Sequence, residues 1–216
     1  MAKYIHFRDP HSKDLEALIN CLEPTPGTCI FIDMINSTGD KILNPDKSWI
    51  RKANNTFNFI SVINQFPDFV VKGIGDEMML FLPDEELKKS TAFRDYLSLL
   101  GELYATIDTL VNHPLKNLFY ECKVGVHYCT DVYNITFFEG VNDYYGTDID
   151  ASARLMQKAR GNRIVVSEAF YCKVMDDIKT NGLDKNDTVI ANISETYMED
   201  FKGIPTPFKY RIIELQ

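Results

Sequence analysis

Three short segments of this 216-residue sequence carry acidic and basic side chains at spacings that suit metal and phosphate chemistry. The first comprises residues 31–38, in which Asp33 ends an apolar run and enters a turn of small polar residues. An aspartate at the end of a strand most often caps a turn, and taken alone this segment favours that structural role. The functional alternative makes Asp33 a metal ligand, with main-chain N–H groups of the turn facing phosphates.

The second segment, residues 72–76, has the sequence KGIGD and ends at Asp76. Glycines permit a tight hairpin and aspartate is common in such turns, so a purely structural role is again a reasonable alternative. The strongly apolar residues 78–81 that follow place Asp76 beside buried structure. Two carboxylates, Asp33 and Asp76, at the edge of adjacent strands can hold two divalent ions, which activate an attacking hydroxyl and bind a triphosphate.

The third segment, residues 143–155, places Asp150 and Arg154 four positions apart, and therefore on one face of a helix. Its structural interpretation is an exposed ion pair between these two side chains. In the functional interpretation, Arg154 stabilises the negative charge that develops on a phosphoryl group, because the forked guanidinium matches the geometry of phosphate oxygens.

Hydrophobic periodicity predicts the elements that must position these segments. Strands are expected at 29–33, 69–72, 77–82, 120–128, 132–138, 163–167 and 208–215, and helices at 14–22, 48–66, 84–112, 146–159 and 168–178. The glycine-rich turn before Asp76 makes a β-hairpin with an acid at its tip. The order predicts a ferredoxin-like βαββαβ sandwich of the α+β class over residues 27–216, preceded by an extension, residues 1–26.

Composition excludes several classes of protein. The formal net charge of −8 argues against a nucleic-acid binder, whereas a nucleotide enzyme remains compatible because bound metal ions screen a triphosphate locally. Five cysteines without a CxxC pair and four scattered histidines predict neither a disulfide framework nor a zinc site. The polar N-terminus is not a signal peptide, and no apolar run approaches the roughly 20 residues of a membrane span, so a reduced, cytosolic location is expected.

In this order and spacing, the three segments resemble the catalytic domain of the class III adenylate and guanylate cyclases. That family has the pattern F-x-D-I-x-x-x-T, then K/E-x-x-G-D-x-x-M, then D-x-x-G-x-x-V-N-x-x-x-R. The matching residues are Asp33, Thr38, Lys72, Gly75, Asp76, Met79, Asp143, Gly146 and Arg154. Residues 201–205 also resemble the C-terminal part of the family, and the resemblance spans about residues 27–215.

The resemblance implies an activity: closure of a nucleoside triphosphate into a 3′,5′-cyclic monophosphate with release of pyrophosphate. It implies that two Mg²⁺ or Mn²⁺ ions are bound at Asp33, Met34 and Asp76. Further nucleotide contacts would come from Asn36, Ser37 and Thr38. Arg154, with Asp150 beside it, would act in the catalytic step and stabilise the pentavalent transition state.

The resemblance also implies a homodimer with two shared sites. Asp33 and Asp76 would come from one protomer, and Asp143, Asp150 and Arg154 from the other. Lys72 lies on the hairpin strand leading to Asp76, although the base-selecting lysine of the family belongs to the protomer that supplies the arginine. Lys72 and Asp143 fall where the family reads the edge of the base.

These residues only partly determine which nucleobase the substrate carries. Lys72 argues against GTP, because a lysine only donates and would face the N1–H donor of guanine. Together with Asp143 it suits adenine or cytosine, and uracil also fits if Asp143 accepts from N3–H. Asp150 stands where the family usually has asparagine near the ribose, and a carboxylate accepts without donating. This departure puts a standard adenylate cyclase in doubt.

A stand-alone cyclase domain is expected, and with its N-terminal extension and its Asp-x-x-x-Arg helix it resembles the pyrimidine cyclases of bacterial Pycsar anti-phage systems. That resemblance implies UTP, or else CTP, as substrate, and a separate effector activated by the cyclic nucleotide. Three alternatives remain: an adenylate cyclase with an unusual Asp150, a degenerate cyclase-homology domain that binds a nucleotide or a partner, and a two-metal phosphohydrolase or nuclease. The last gives no role to Lys72 or to the spacing between Asp143 and Arg154.

Overall fold

The structure is a computed structural model that describes residues 2–7, 9, 11–63, 66–91, 93–161, 163–181 and 188–215. The described residues form nine strands: β1 (Lys3–Tyr4), β2 (Gly27–Met34), β3 (Val70–Ile74), β4 (Glu77–Pro83), β5 (Cys122–Cys129), β6 (Ile135–Thr136), β7 (Arg163–Ser167), β8 (Tyr197–Glu199) and β9 (Phe208–Glu214).

The helices of the same residues are α1 (Lys13–Asn20), α2 (Ser37–Leu43), α3 (Ser48–Asn58), α4 (Asp84–Lys89), α5 (Tyr96–Asn112), α6 (Thr147–Met156), α7 (Glu168–Asn181) and α8 (Thr188–Ala191). A π-helical turn, Phe59–Ile63, continues α3. Within the described part of the chain, no helix combines the length and the apolar character that crossing a membrane requires.

The main sheet has seven strands in the order β3-β4-β2-β5-β7-β9-β8. Each neighbouring pair among its first four strands is antiparallel, with α3 and α5 in the connections before β3 and after β4. This is the strand order of a ferredoxin-like unit, as the sequence predicted. Strand β7 then joins β5 in parallel, and β9 and β8 extend the sheet as C-terminal additions.

The two faces of β2 bury different sets of side chains. Successive residues of a strand point to opposite faces, so Ile30 and Ile32 join the large cluster that includes α5 and α7, while Cys29 and Phe31 face a smaller cluster with Met156 of α6. Apart from the half-buried Asp33, β2 is buried along its length. The buried core therefore holds β2 rigid, and Asp33 lies near the end of this strand.

Helix α6 packs unusually closely on β5. A Cβ atom at Gly125 would lie 2.6 Å from the Cα of Met156, a distance that real side chains do not adopt. Glycine at this position therefore lets the helix that carries Asp150 and Arg154 rest directly on the sheet.

Several predictions of secondary structure are wrong in extent or in type. The continuous helix over 84–112 is two helices, because the Asp95 carboxylate accepts from the main-chain N–H of Ser98 at 2.7 Å and starts α5 with a capping box. The strand over 132–138 is only Ile135–Thr136, and it pairs with Lys3–Tyr4 rather than with the main sheet. The turn after Asp33 becomes helix α2, which periodicity missed because it is short and polar.

The prediction of one helix over 48–66 is wrong in a similar way. It ends as an α-helix at Asn58 and continues as the π-helical turn, and residues 64–65 lie outside the described part of the chain. The short elements β1, β8 and α8 were not predicted, because each is too short to show a hydrophobic period. The other predicted strands and helices begin and end within a few residues of their observed bounds.

Candidate functional site

The ends of β2 and β4 bring the first two sequence segments together. Asp33 pairs across the sheet with Glu77, the first residue of β4. Asp76 occupies the two-residue turn before it, where Gly75 has φ +69° and supplies the left-handed conformation that this hairpin needs. The main-chain N–H of Met34 donates to the carbonyl of Asp76 at 3.3 Å. Both motif carboxylates therefore lie at one edge of the sheet.

A cavity of about 480 Å³ opens at this edge. The first segment, the hairpin tip and the loop after α6 all contribute to its walls. The lining residues are Asp33, Met34, Ile35, Asn36, Ser37, Thr38, Gly39, Asp76, Lys123, Ala159, Arg160 and Gly161.

The residues of the first segment have different surroundings in this cavity. Ser37 is buried, and its hydroxyl donates a short hydrogen bond to Oδ2 of Asp76. Asn36 and Thr38 are exposed, and Asn36 adopts a left-handed conformation with φ 58°. The side chain of Met34 is buried in the core, so the oxygen that it can offer to an ion is its main-chain carbonyl.

Two charged residues that sequence reasoning missed also face Asp33. The Lys123 ammonium lies 2.8 Å from Oδ2 of Asp33, and both side chains are largely buried. Lys123 stands opposite Asp33 on β5, as Glu77 does on β4. Only the strand register shows these neighbours, since neither residue belongs to a recognisable local pattern.

The pKa of Glu77 reports how much negative charge is concentrated here. Burial raises this pKa, and the nearby carboxylates of Asp33 and Asp76 raise it further, while Lys123 opposes them, giving a value of about 6. A positive ion at this edge would relieve the repulsion among the three carboxylates.

We expect Glu77→Gln to stabilise the metal-free protein at neutral pH. The pKa of Glu77 is about 6 in the fold and 4.5 when unperturbed, so between these values the native state binds more protons than the unfolded chain. Stability from this group is therefore present at low pH and lost as the pH rises through that window. Because Glu77 is half-buried, solvent screening leaves a gain of about 1 kcal/mol above pH 6, or roughly 2–4 °C in Tm.

Thermal melts in EDTA at pH 4 and pH 8 measure this gain, with the exposed Glu85→Gln as control. A gain of equal size at both pH values would show that packing, and not charge, is responsible.

A second group of residues forms around Lys72 and Asp143. The Lys72 ammonium lies 2.8 and 2.7 Å from the two carboxylate oxygens of Asp143, whose side chain is only 7% exposed. Asp143 also accepts from the main-chain N–H of Tyr144 at 2.8 Å, and the Lys72 ammonium lies 5.4 Å from the ring centre of Tyr145. The two residues predicted to read a base edge are thus direct neighbours within one chain.

Arg154 is not committed to an internal ion pair. Its Nη1 is buried without a hydrogen-bond partner, and no salt bridge joins it to Asp150 within the described part of the chain. Asp150 is exposed. The guanidinium rests against Gly203, where an added Cβ would lie 3.4 Å from Nη1. The simple interpretation of an exposed Asp150–Arg154 ion pair is therefore wrong.

The predicted site residues fall into two groups within the chain. Asp33, Met34, Asn36, Ser37, Thr38 and Asp76 line the cavity, whereas Lys72, Asp143, Asp150 and Arg154 do not. Within one chain, the residues predicted to bind metal thus line the cavity, and those predicted to contact the base, the ribose and the reacting phosphate lie outside it.

The fold is similar to that of solved nucleotidyl cyclase domains. The catalytic core of a rhodopsin-guanylyl cyclase with converted specificity, in complex with ATPalphaS, gives a TM-score of 0.66 at 13% identity, covering 89% of this chain and 96% of that chain. The guanylyl cyclase Cya2 gives 0.65 at 15% identity, covering 90% and 95%. The adenylyl cyclase CyaB from P. aeruginosa gives 0.62 at 16% identity, covering 90% and 96%.

Neither the sequence profiles of protein families nor the sequences of curated proteins match this chain. At these low identities the structural similarities establish the fold alone. The prediction of a mixed α+β fold with the central sheet of cyclase catalytic domains is confirmed.

Proposed function

We propose that this protein is a nucleotidyl cyclase, which converts a nucleoside triphosphate into its 3′,5′-cyclic monophosphate and pyrophosphate. The observation that carries the proposal is the meeting of Asp33 and Asp76 at one cavity, in a fold shared with solved cyclase domains. The 3′-oxygen of the ribose bonds to the α-phosphorus, the bond to the β-phosphate oxygen breaks, and the hydroxyl proton passes to solvent.

The cavity residues fit a pair of divalent cations. Asp33 and Asp76 offer carboxylate oxygens and Met34 offers a carbonyl oxygen, which are the hard ligands that Mg²⁺ and Mn²⁺ prefer. When bound, such ions lower the pKa of the ribose hydroxyl and neutralise phosphate charge. Ser37 holds Asp76 by its hydroxyl, so the orientation of that carboxylate is set before any ligand arrives.

Arg154 is the residue best suited to the negative charge that develops on the phosphate oxygens in the transition state. Its buried Nη1 has no acceptor among the described residues, so no internal hydrogen bond of that atom has to break for the guanidinium to turn toward a phosphate oxygen. Asp150 lies one turn earlier on the exposed side of α6, and this exposure supports a role in accepting from a ribose hydroxyl.

We expect Arg154→Ala to lower kcat by about 100- to 1,000-fold and to change KM much less. This split follows if the guanidinium binds charge that exists mainly in the transition state. Steady-state kinetics measure both constants, with Arg163→Ala as control because Arg163 makes only a partly exposed ion pair with Glu214. A rise in KM at unchanged kcat would make Arg154 a binder of the ground state.

We further propose a homodimer with two shared sites. The separation of the cavity residues from Lys72, Asp143 and Arg154 supports it, because a triphosphate needs both groups. A second copy related by a two-fold axis would bring Lys72, Asp143 and Arg154 of one chain to the cavity of the other, and the same contact would complete a second site.

We propose more specifically that the substrate is a pyrimidine nucleotide, and we favour UTP over CTP. Lys72 only donates and Asp143 only accepts when ionised, which disfavours guanine. Tyr145 lies beside the Lys72 ammonium, and Tyr144 packs on Phe81 with ring centres 4.3 Å apart, so bulky rings surround the base-reading pair. These rings support a small base, and adenine remains the alternative.

Product identity tests these proposals together. Purified protein is incubated with Mn²⁺ and, separately, ATP, GTP, CTP and UTP, and the products are identified by mass. Cyclic UMP or cyclic CMP supports the pyrimidine cyclase, and with it a role in anti-phage signalling through a separate effector. Cyclic AMP as the sole product would support the proposed cyclase activity and contradict the proposal of a pyrimidine substrate. Linear products indicate a phosphohydrolase, and no product from any nucleotide favours a binding domain.

A further inference from the structure

A second cluster of ligating side chains lies between β5 and α6. His127 and Cys129 are two residues apart on β5 and therefore point to the same face of the sheet. Asp148 reaches them from the first turn of α6. One ligand atom from each of the three residues lies within 4.8 Å of the other two.

His127 is the unexplained member of this cluster. It is 5% exposed, and neither of its ring nitrogens has a hydrogen-bond partner among the described residues. Its Nε2 lies 3.6 Å from Oδ1 of Asp148, which is too long for a hydrogen bond. Phe208 packs against the imidazole edge-on, with ring centres 5.2 Å apart, and offers no polar atom. Asp148 is therefore an ion-pair partner of His127 only when the imidazole is protonated, and a neutral imidazole buried without a hydrogen bond is costly and calls for a ligand.

We propose that His127, Cys129 and Asp148 bind one zinc ion, which ties α6 to β5. An imidazole nitrogen, a thiolate and a carboxylate are the ligand types that zinc takes in proteins. Tetrahedral zinc, with bonds of about 2.0–2.3 Å, holds its ligand atoms roughly 3.3–3.7 Å apart. The 3.6 Å separation of His127 and Asp148 already has this value, and the rest of the cluster needs to contract by about an ångström.

Charge and orientation agree with this assignment. Zinc binding removes the thiol proton of Cys129 to solvent, and the thiolate and the Asp148 carboxylate then balance the two charges of the ion. Oδ2 of Asp148 accepts from the main-chain N–H groups of Thr130 and Asp131 at 2.6 and 2.8 Å. These bonds leave Oδ1 facing His127, and the 22% exposure of the Asp148 side chain gives the ion a path in.

The test is a titration of chelator-treated protein with Co²⁺, in excess Mg²⁺ so that oxygen-ligand sites are filled. Cobalt takes zinc sites, and a bound thiolate gives it a charge-transfer band in the near ultraviolet. We expect one Co²⁺ per chain with a thiolate charge-transfer band, which added Zn²⁺ abolishes by displacement. A titration without that band would overturn the proposal.

Two near-isosteric variants identify the ligands. Cys129→Ser removes the thiolate, and Asp148→Asn removes Oδ1 while its remaining oxygen still accepts from Thr130 and Asp131. Each should weaken Co²⁺ binding by at least about 100-fold, beyond the 10- to 100-fold typical of outer partners. Cys172→Ser, at an exposed cysteine, should bind as the wild type does. Unchanged binding in Cys129→Ser or Asp148→Asn would contradict the assignment. The readout is metal binding, so it is independent of the proposed cyclase activity.

Discussion

Asp33→Ala and Asp76→Ala should each lower kcat for cyclic nucleotide formation at least ~1,000-fold, a loss of about 4 kcal/mol of transition-state stabilisation. The reason is that both carboxylates line one cavity, and under the proposed function each provides ligand oxygens for a divalent cation there. Product formation at saturating Mn²⁺ and nucleotide measures the loss. Far-UV circular dichroism should show an intact fold, since the two residues lie at the edge of the core and not within it.

Asp176→Ala is the matched control, because Asp176 is an exposed aspartate on α7 that pairs with Lys179. It should retain wild-type activity. Asp33→Ala also leaves Lys123 without its partner, so Asp33→Asn is a gentler second variant that keeps an oxygen near the ammonium. Full activity in Asp33→Ala or Asp76→Ala would remove the metal-binding role of that residue.

A mixture of Asp76→Ala and Arg154→Ala proteins should recover about a quarter of the wild-type activity, although each alone is nearly inactive. If subunits exchange at random, half of the dimers are mixed, and each mixed dimer has one complete site out of two. The activity of an equimolar mixture after subunit exchange measures the recovery.

The control mixture is Asp33→Ala with Asp76→Ala. Both changes damage the same half of the site, so every site in a mixed dimer lacks one carboxylate and no recovery is expected. Native mass spectrometry of differently tagged chains shows whether mixed dimers form. Mixed dimers without recovered activity would contradict the shared site.

Local patterns in the sequence were sufficient to predict the ferredoxin-like order and the motif residues. Alternating and helical hydrophobic spacing reflects which face of each element is buried, so it reports strands and long helices well. The glycine turn before Asp76 was recognisable because only a few residue types adopt its backbone conformation. The break before α5 was missed, because a cap formed by Asp95 and Ser98 leaves the hydrophobic spacing unchanged.

The neighbours of each functional residue depended on the tertiary structure. Strand register placed Lys123 and Glu77 beside Asp33, and helix packing on β5 brought Asp148 to His127. No local pattern encodes such contacts, because they join residues far apart in sequence. The sequence therefore predicted no zinc site, whereas the folded chain collects three zinc-type ligands. The sequence by itself determines which chemical groups the protein carries, but which of them share a site is decided by how its strands pair and its helices pack.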